Sequence, residues 1–187
     1  MTRSTTARGT VIVRKKPACL ETYLQEVDVT PGAEALLAYQ HYHWTEGTVE
    51  VPEGAVTEEI SIGYYPQVDS LQPLPEELVS FDSFRLTVFK DGIAQESYAL
   101  EKPVKMTIVY PPVIGMRCQG CVDEATLALY VWDGEAWEEA QNTCPPDSRY
   151  ENLLMESNTY EVNVCHLSEF IMMGTPAYWA YLPVAVR

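Results

Sequence analysis

Five cysteines and three histidines are the residues of this 187-residue sequence best suited to ligating a metal, carrying a redox change or moving a proton. Cys118-Gln119-Gly120-Cys121 has the spacing of half a zinc site. It has no second pair and no nearby histidine, so a local disulfide or a reduced loop is the better reading than a metal or redox centre. His41-Tyr42-His43 would set two imidazoles on one face of a strand, able in principle to hold a metal. Without a third ligand they read as surface or partly packed residues. The third histidine lies in Cys165-His166-Leu167-Ser168-Glu169-Phe170. On a regular strand His166 and Ser168 share a face with α-carbons roughly 6.6–6.8 Å apart, too far for direct proton transfer. Strict alternation would put Tyr160, Val162, Val164, His166, Ser168 and Phe170 together, making His166 a core residue bonded to backbone. A kink between His166 and Ser168 would instead bring the pair closer.

The acidic runs Glu58-Glu59, Pro75-Glu76-Glu77, Asp123-Glu124 and Glu138-Glu139 lack the spacing and glycine of a calcium loop. They read as a solvated face with at most weak calcium binding, and no other cofactor is expected. No glycine-rich phosphate loop, catalytic carboxylate pair or metalloprotease motif occurs. Conventional enzyme activity therefore has no support in the sequence.

The elements that position these residues are strands. Thr10-Val11-Ile12-Val13 centres a first strand from Gly9 to Arg14, closed by Pro17. Leu24, Val27 and Val29 lead to the turn Thr30-Pro31-Gly32, and residues 33–39 are read as strand against their helical propensity. Thr48-Val49-Glu50-Val51 and Ile60-Ser61-Ile62-Gly63-Tyr64 alternate on either side of Pro52-Glu53-Gly54-Ala55, which predicts two tightly joined strands. Residues 66–77 form a proline-containing solvated loop, and the strand centred on residues 84–89 ends at Lys90-Asp91-Gly92, a hairpin signal. Val104, Met106, Ile108 and Tyr110 share a face, with Pro111-Pro112 as the stop. Leu127 to Trp132 returns through Asp133-Gly134 to Ala136-Trp137-Glu138, and residues 160–170 are expected to be one final core strand. About nine strands and no convincing 3.6-residue period predict an antiparallel all-β sandwich with little helix. One domain is expected over residues 1–174, followed by an apolar strand or tail over 175–187.

Twelve basic and 27 acidic residues leave a formal charge of −15. That field repels phosphate backbones, so nucleic acid is a poor partner and protein partners or self-association are the better expectation. No stretch approaches the roughly 18 consecutive apolar residues of a membrane-spanning helix. The start, Met1-Thr2-Arg3-Ser4-Thr5-Thr6, lacks the apolar run of a signal peptide, so an exported chain would have had its leader removed or replaced. Acidic, Tyr-rich and Lys-poor composition with clustered cysteines reads as extracellular or cell-surface. The odd cysteine count permits at most two bridges. The ending Tyr178-Trp179-Ala180-Tyr181-Leu182-Pro183-Val184-Ala185-Val186-Arg187 presents aromatic and aliphatic side chains that must be covered by something. Its own sheet, a neighbouring subunit's edge, or service as an export and anchoring tag would each answer that need.

Trp137, Cys144 and the segment Cys165-His166-Leu167-Ser168-Glu169-Phe170 together resemble the proteolysis-site motif that closes the autoproteolysis-inducing domain of adhesion receptors. Gly47-Thr48-Val49-Glu50-Val51-Pro52-Glu53-Gly54-Ala55-Val56 with Lys102-Pro103-Val104 is similar to the related ZU-type domain, which appears in bacterial surface proteins. The likeness covers about residues 30–174, and only the 165–170 block is specific. It implies His166 as general base, Ser168 as nucleophile and Leu167-Ser168 as the scissile bond, cut by an N-to-O acyl shift and ester hydrolysis. It also implies a Cys144–Cys165 bridge, while Asn163 stands where the receptor pattern has a second cysteine. Bacterial surface domains of this kind often carry such a strand without cleavage. Tyr181-Leu182-Pro183-Val184-Ala185-Val186-Arg187 resembles the terminal tails of some secreted bacterial proteins. The function these readings favour is a non-catalytic structural or assembly module of a bacterial surface or secreted protein, joining subunits through its C-terminal strand. Self-cleavage between Leu167 and Ser168 is the alternative.

Overall fold

The computed structural model describes residues 25–41, 45–112 and 122–177. The expected first strand at residues 9–14, the Cys118/Cys121 pair, Cys19, Tyr42-His43 and the tail at 178–187 lie outside the described residues. Within them the period-two runs form twelve strands: β1 (Gln25–Val29), β2 (Ala35–His41), β3 (Thr45–Val51), β4 (Ile60–Gln67), β5 (Val79–Lys90), β6 (Ile93–Gln95), β7 (Tyr98–Val109), β8 (Ala128–Trp132), β9 (Trp137–Glu139), β10 (Glu151–Leu154), β11 (Thr159–Leu167) and β12 (Glu169–Gly174). Single turns of 3-10 helix stand at Glu124–Thr126, Ala140–Thr143 and Met155–Ser157. One sheet runs β1-β4-β5-β12-β8-β9, with β6 added to β5, and the other runs β10-β11-β7-β3-β2. All pairings are antiparallel. The architecture is the expected all-β sandwich.

Twelve strands replace the expected nine for local reasons. β6 and β10 span only three and four residues, too short for a periodic signature, and the 160–170 run is two strands rather than one. A second correction concerns residues 48–64: β3 and β4 are not a hairpin. β3 pairs with β2 and β7, while β4 pairs with β1 and β5 in the opposite sheet. The turn between them crosses the sandwich, held by Gly54 N–H to the Pro31 carbonyl at 2.8 Å and by Lys102 Nζ to the Glu53 carbonyl at 2.7 Å. The Asp91-Gly92 hairpin does form, with φ of 51° and 77°, the left-handed pair that a two-residue turn of this hand needs.

The inner faces of both sheets meet in one apolar core, and an aromatic file runs through it. Tyr39 of β2 stacks on Tyr64 of β4 at 4.2 Å between ring centroids; Tyr64 lies 5.4 Å from Phe84 of β5, which stacks on Phe170 of β12 at 5.4 Å. Each such pair contributes about 0.5–1.5 kcal/mol beyond its buried area. Gly47 on β3 makes room for this file, since a Cβ there would lie 2.7 Å from the Tyr39 ring and 2.3 Å from the Thr107 carbonyl oxygen. The file carries the end of the chemistry-bearing segment, Phe170, into the centre of the seven-stranded sheet.

Candidate functional site

The segment 165–170 is not a continuous strand. β11 ends at Leu167 in the five-stranded sheet and β12 begins at Glu169 in the seven-stranded sheet, so Ser168 is the residue at which the chain changes sheets. Its carbonyl accepts from Leu86 N–H of β5 at 3.0 Å, and the residue is buried. Just before the crossing, the register of β11 against β7 shifts: Val164 faces Val104 and His166 faces Ala99, leaving residues 100–103 opposite Cys165 alone. Pro103 in that stretch has no N–H to give to a ladder. The shift reverses the phase of the strand. Leu167, not His166, joins Val164 in the core, and His166 is half-buried at its rim. The expectation that His166 shares the core face with Tyr160, Val162 and Val164 is thereby overturned.

The crossing bends the chain without placing it in the left-handed region, because the only positive-φ residues other than glycine among the described residues are Asp91 and Asn158. His166 is neither a straight-strand core residue nor the product of a strained turn. Its imidazole lies near the β8–β9 turn, where burial pushes its pKa down and the carboxylates of Glu138 and Asp133 pull it back up. A neutral imidazole is the form a general base requires. Among the described residues, however, it makes no hydrogen bond to Ser168. Asp133 is committed elsewhere, capping the turn by accepting from Glu135 N–H and Ala136 N–H, both at 2.7 Å, and those bonds hold its pKa below the usual carboxylate range.

Cys144 and Cys165 form a disulfide with α-carbons 5.0 Å apart, the pairing that the resemblance implies. It ties the 3-10 turn Ala140–Thr143 to β11, and Thr143 Oγ reinforces the tie by accepting from Cys165 N–H at 2.9 Å. Asn163 takes over the anchoring of the intervening loop: its side-chain amide donates to the Ser148 carbonyl at 3.0 Å and its N–H to the Tyr150 carbonyl at 2.9 Å. Behind the bridge, the buried Tyr160 hydroxyl donates to the Glu151 carboxylate and accepts from Leu129 N–H at 3.1 Å, linking the two sheets. Burial, then Glu151, pushes the Tyr160 pKa far up, so the phenol stays a donor. Gln141 donates to both Glu151 and Glu139 and completes the group.

Glu169 is the residue that sequence reasoning missed. It is 4% exposed, and its carboxylate lies 3.0 Å from Ser70 Oγ and accepts from Leu71 N–H at 2.9 Å. With Trp137, whose indole donates to the Pro73 carbonyl at 3.0 Å, it straps the 68–78 loop onto the outer face of the seven-stranded sheet. Ile171 and Met173, further along β12, are fully buried yet outside the inner core. The available signal was a single acid directly before the apolar run Phe170-Ile171-Met172-Met173, which demands a partner when buried. Among the described residues no group of three or more His, Cys, Asp or Glu side chains could hold a metal. The acidic runs instead make local bonds: Glu58 pairs with Lys90 at 2.7 Å, and Glu124 accepts from the Tyr110 hydroxyl at 2.9 Å. No helix among the described residues is long and apolar enough to cross a membrane. No protein-family model matches the chain, and no curated protein matches it.

Proposed function

We propose that this chain is a non-catalytic structural or assembly module of a bacterial surface or secreted protein, and that it joins subunits through its C-terminal residues 178–187. The observation that carries this reading is a contrast in composition. The chain bears a formal charge of −15, yet its last ten residues contain no acid, one arginine and eight apolar or aromatic side chains besides Pro183. A segment of that kind is driven to leave water. The Cys144–Cys165 disulfide supports an extracellular or cell-surface setting, since structural disulfides persist where the surroundings are oxidising. The ZU-type and autoproteolysis-domain resemblance fits the same setting. Sedimentation velocity of the full chain beside a chain ending at Ala177 tests the assembly role. The full chain is expected to associate with rising concentration and the shortened one to stay monomeric; association that survives the truncation would remove the tail from the account.

The second reading is single-turnover self-cleavage at Leu167-Ser168, and one observation favours it: the bond lies where the chain leaves one sheet for the other. In that reaction Ser168 Oγ would attack the Leu167 carbonyl as His166 takes the hydroxyl proton. The amide nitrogen would leave protonated as the ester forms, and water would hydrolyse the ester. Because His166 makes no hydrogen bond to Ser168 and faces Glu138 and Asp133, the non-catalytic reading is the stronger. Ser168→Ala would abolish any splitting of the chain that occurs by this route.

A further inference from the structure

We infer that residues 68–78 form a two-position strap, latched by Glu169 when closed and released when that carboxylate turns to Arg85, its neighbour across the ladder. The segment joins β4, which ends at Gln67, to β5, which begins at Val79. It contains no strand, and its internal bonds are local. Ser70 Oγ lies 3.0 Å from the Gln72 carbonyl and accepts from Gln72 N–H at 3.0 Å, and Leu78 N–H donates to the Pro75 carbonyl at 3.2 Å. Among the described residues three polar contacts tie the segment to the sheet, and two of them end on one atom. Glu169 Oε1 accepts from Leu71 N–H at 2.9 Å and lies 3.0 Å from Ser70 Oγ, while the Trp137 indole donates to the Pro73 carbonyl at 3.0 Å. The large apolar side chains of the segment face water: Val68 is 80% exposed, Leu71 69% and Leu74 40%. A segment held by a few side-chain bonds, with its apolar groups outside, opens at a free energy well below that of global unfolding.

Glu169 has a second partner within reach. It stands directly opposite Arg85 in the register of β12 against β5. Residues so placed share a face, with Cβ atoms about 4.5–5.5 Å apart, and opposite charges there attract. These two do not pair. The Arg85 guanidinium turns away, donating from Nη2 to the Glu96 carbonyl at 3.3 Å, and its buried Nε meets no acceptor among the described residues. Glu169, 4% exposed, keeps its carboxylate on the neutral donors Ser70 and Leu71, both at Oε1, and Oε2 accepts no bond among the described residues. Each position therefore satisfies what the other leaves open. The closed strap fills Glu169 Oε1 and leaves Arg85 Nε bare. The open strap gives the Ser70 and Leu71 donors to water, where they lose little, and lets carboxylate and guanidinium meet in a charge-assisted pair. One carboxylate shared between two competing partners is the kind of element that holds a loop in two discrete arrangements.

Hydrogen exchange at the Leu71 amide of the full chain, followed by NMR at one pH, reads the opening directly, and the β11 amides report the sandwich as a whole. Glu169→Ala removes the latch and should speed Leu71 exchange roughly tenfold while β11 stays protected. Glu169→Gln keeps a carbonyl oxygen for Leu71 N–H but cannot form the ion pair, and Arg85→Gln removes the cation. Each should slow Leu71 exchange roughly threefold, because the open position has lost its partner. Arg85→Lys keeps the charge and should exchange as wild type does. Unchanged exchange in Glu169→Ala would show that Glu169 is not the latch and would sink the inference. Wild-type or faster exchange in Glu169→Gln or in Arg85→Gln, with β11 still protected, would make Glu169 a fixed tie and overturn the switch. Leu71 exchange that moves in step with β11 in every variant would mean that the segment opens only when the sandwich unfolds, which also overturns it.

Discussion

The two flanks of the sandwich end in different ways. On the β9/β10 flank the sheets are joined by the Cys144–Cys165 disulfide, by Thr143 Oγ and by the Tyr160–Glu151–Gln141–Glu139 group, and both edge strands are short and acidic. On the β1/β2 flank the connection is the Thr30-Pro31-Gly32 turn, and β2 presents seven regular residues with no charged side chain of the Asp, Glu, Lys or Arg kind. The difference separates two tasks that a sandwich must perform. Closure of one flank holds the sheets together where the chain crosses at Ser168. Among the described residues no strand lies on the outer side of β2, which leaves main-chain donors and acceptors there for another strand.

The largest loss is expected in the aromatic file, which reaches from β2 to the crossing. Phe170→Ala removes a fully buried ring stacked on Phe84 and should cost about 3–5 kcal/mol, read as a lowered urea midpoint. Opening the closed flank comes next. Cys144→Ser with Cys165→Ser releases a loop of sequence separation 21 and should destabilise by about 3 kcal/mol relative to the oxidised protein. Tyr160→Phe deletes the hydroxyl shared by Glu151 and Leu129 N–H and should cost about 1–3 kcal/mol by thermal or urea denaturation. Leu36→Lys on the open flank, by contrast, should change monomer stability by no more than about 0.5 kcal/mol. A loss there as large as that of Tyr160→Phe would mean that β2 is part of the closed core and not a free edge.

The smallest effect is a pH dependence at His166. Its folded pKa is lowered by burial, against the upward pull of Glu138 and Asp133, from an unfolded value of about 6.5. Between the two values the unfolded chain binds more protons, so stability rises with pH there. The His166 contribution is therefore fully present above about pH 6.5 and is lost as pH falls through the folded value. His166→Gln should flatten the urea midpoint across that window, and an unchanged slope would place the imidazole in open solvent.

Much of this arrangement is legible in the residues. Alternation located Val104, Met106, Ile108 and Tyr110 on a buried face, and Asp91-Gly92 and Asp133-Gly134 marked real turns. The phase reversal before Ser168 has a trace in the sequence, where the apolar positions move from Tyr160, Val162 and Val164 to Cys165 and Leu167, but the register shift that accompanies it, opposite residues 100–103 of β7, lies on another strand. The sheet change between β3 and β4 was hidden, since a tight turn signal does not state whether the strands it joins pair with each other. Glu169 reads as a solvent-facing residue until the 68–78 loop is folded back over it. The partners of β3 and β4 and the loop over Glu169 are long-range contacts, which local patterns do not encode.

His166 and Ser168 stand at the crossing with no hydrogen bond between them, and the mass of the intact polypeptide tests most directly whether they act as base and nucleophile. After reduction of the disulfide and denaturation, electrospray mass spectrometry of the full chain should give one species at the full-chain mass, unchanged by Ser168→Ala. Two fragments, one ending at Leu167 and one beginning at Ser168, with masses summing to the chain plus one water and vanishing in Ser168→Ala, would contradict it.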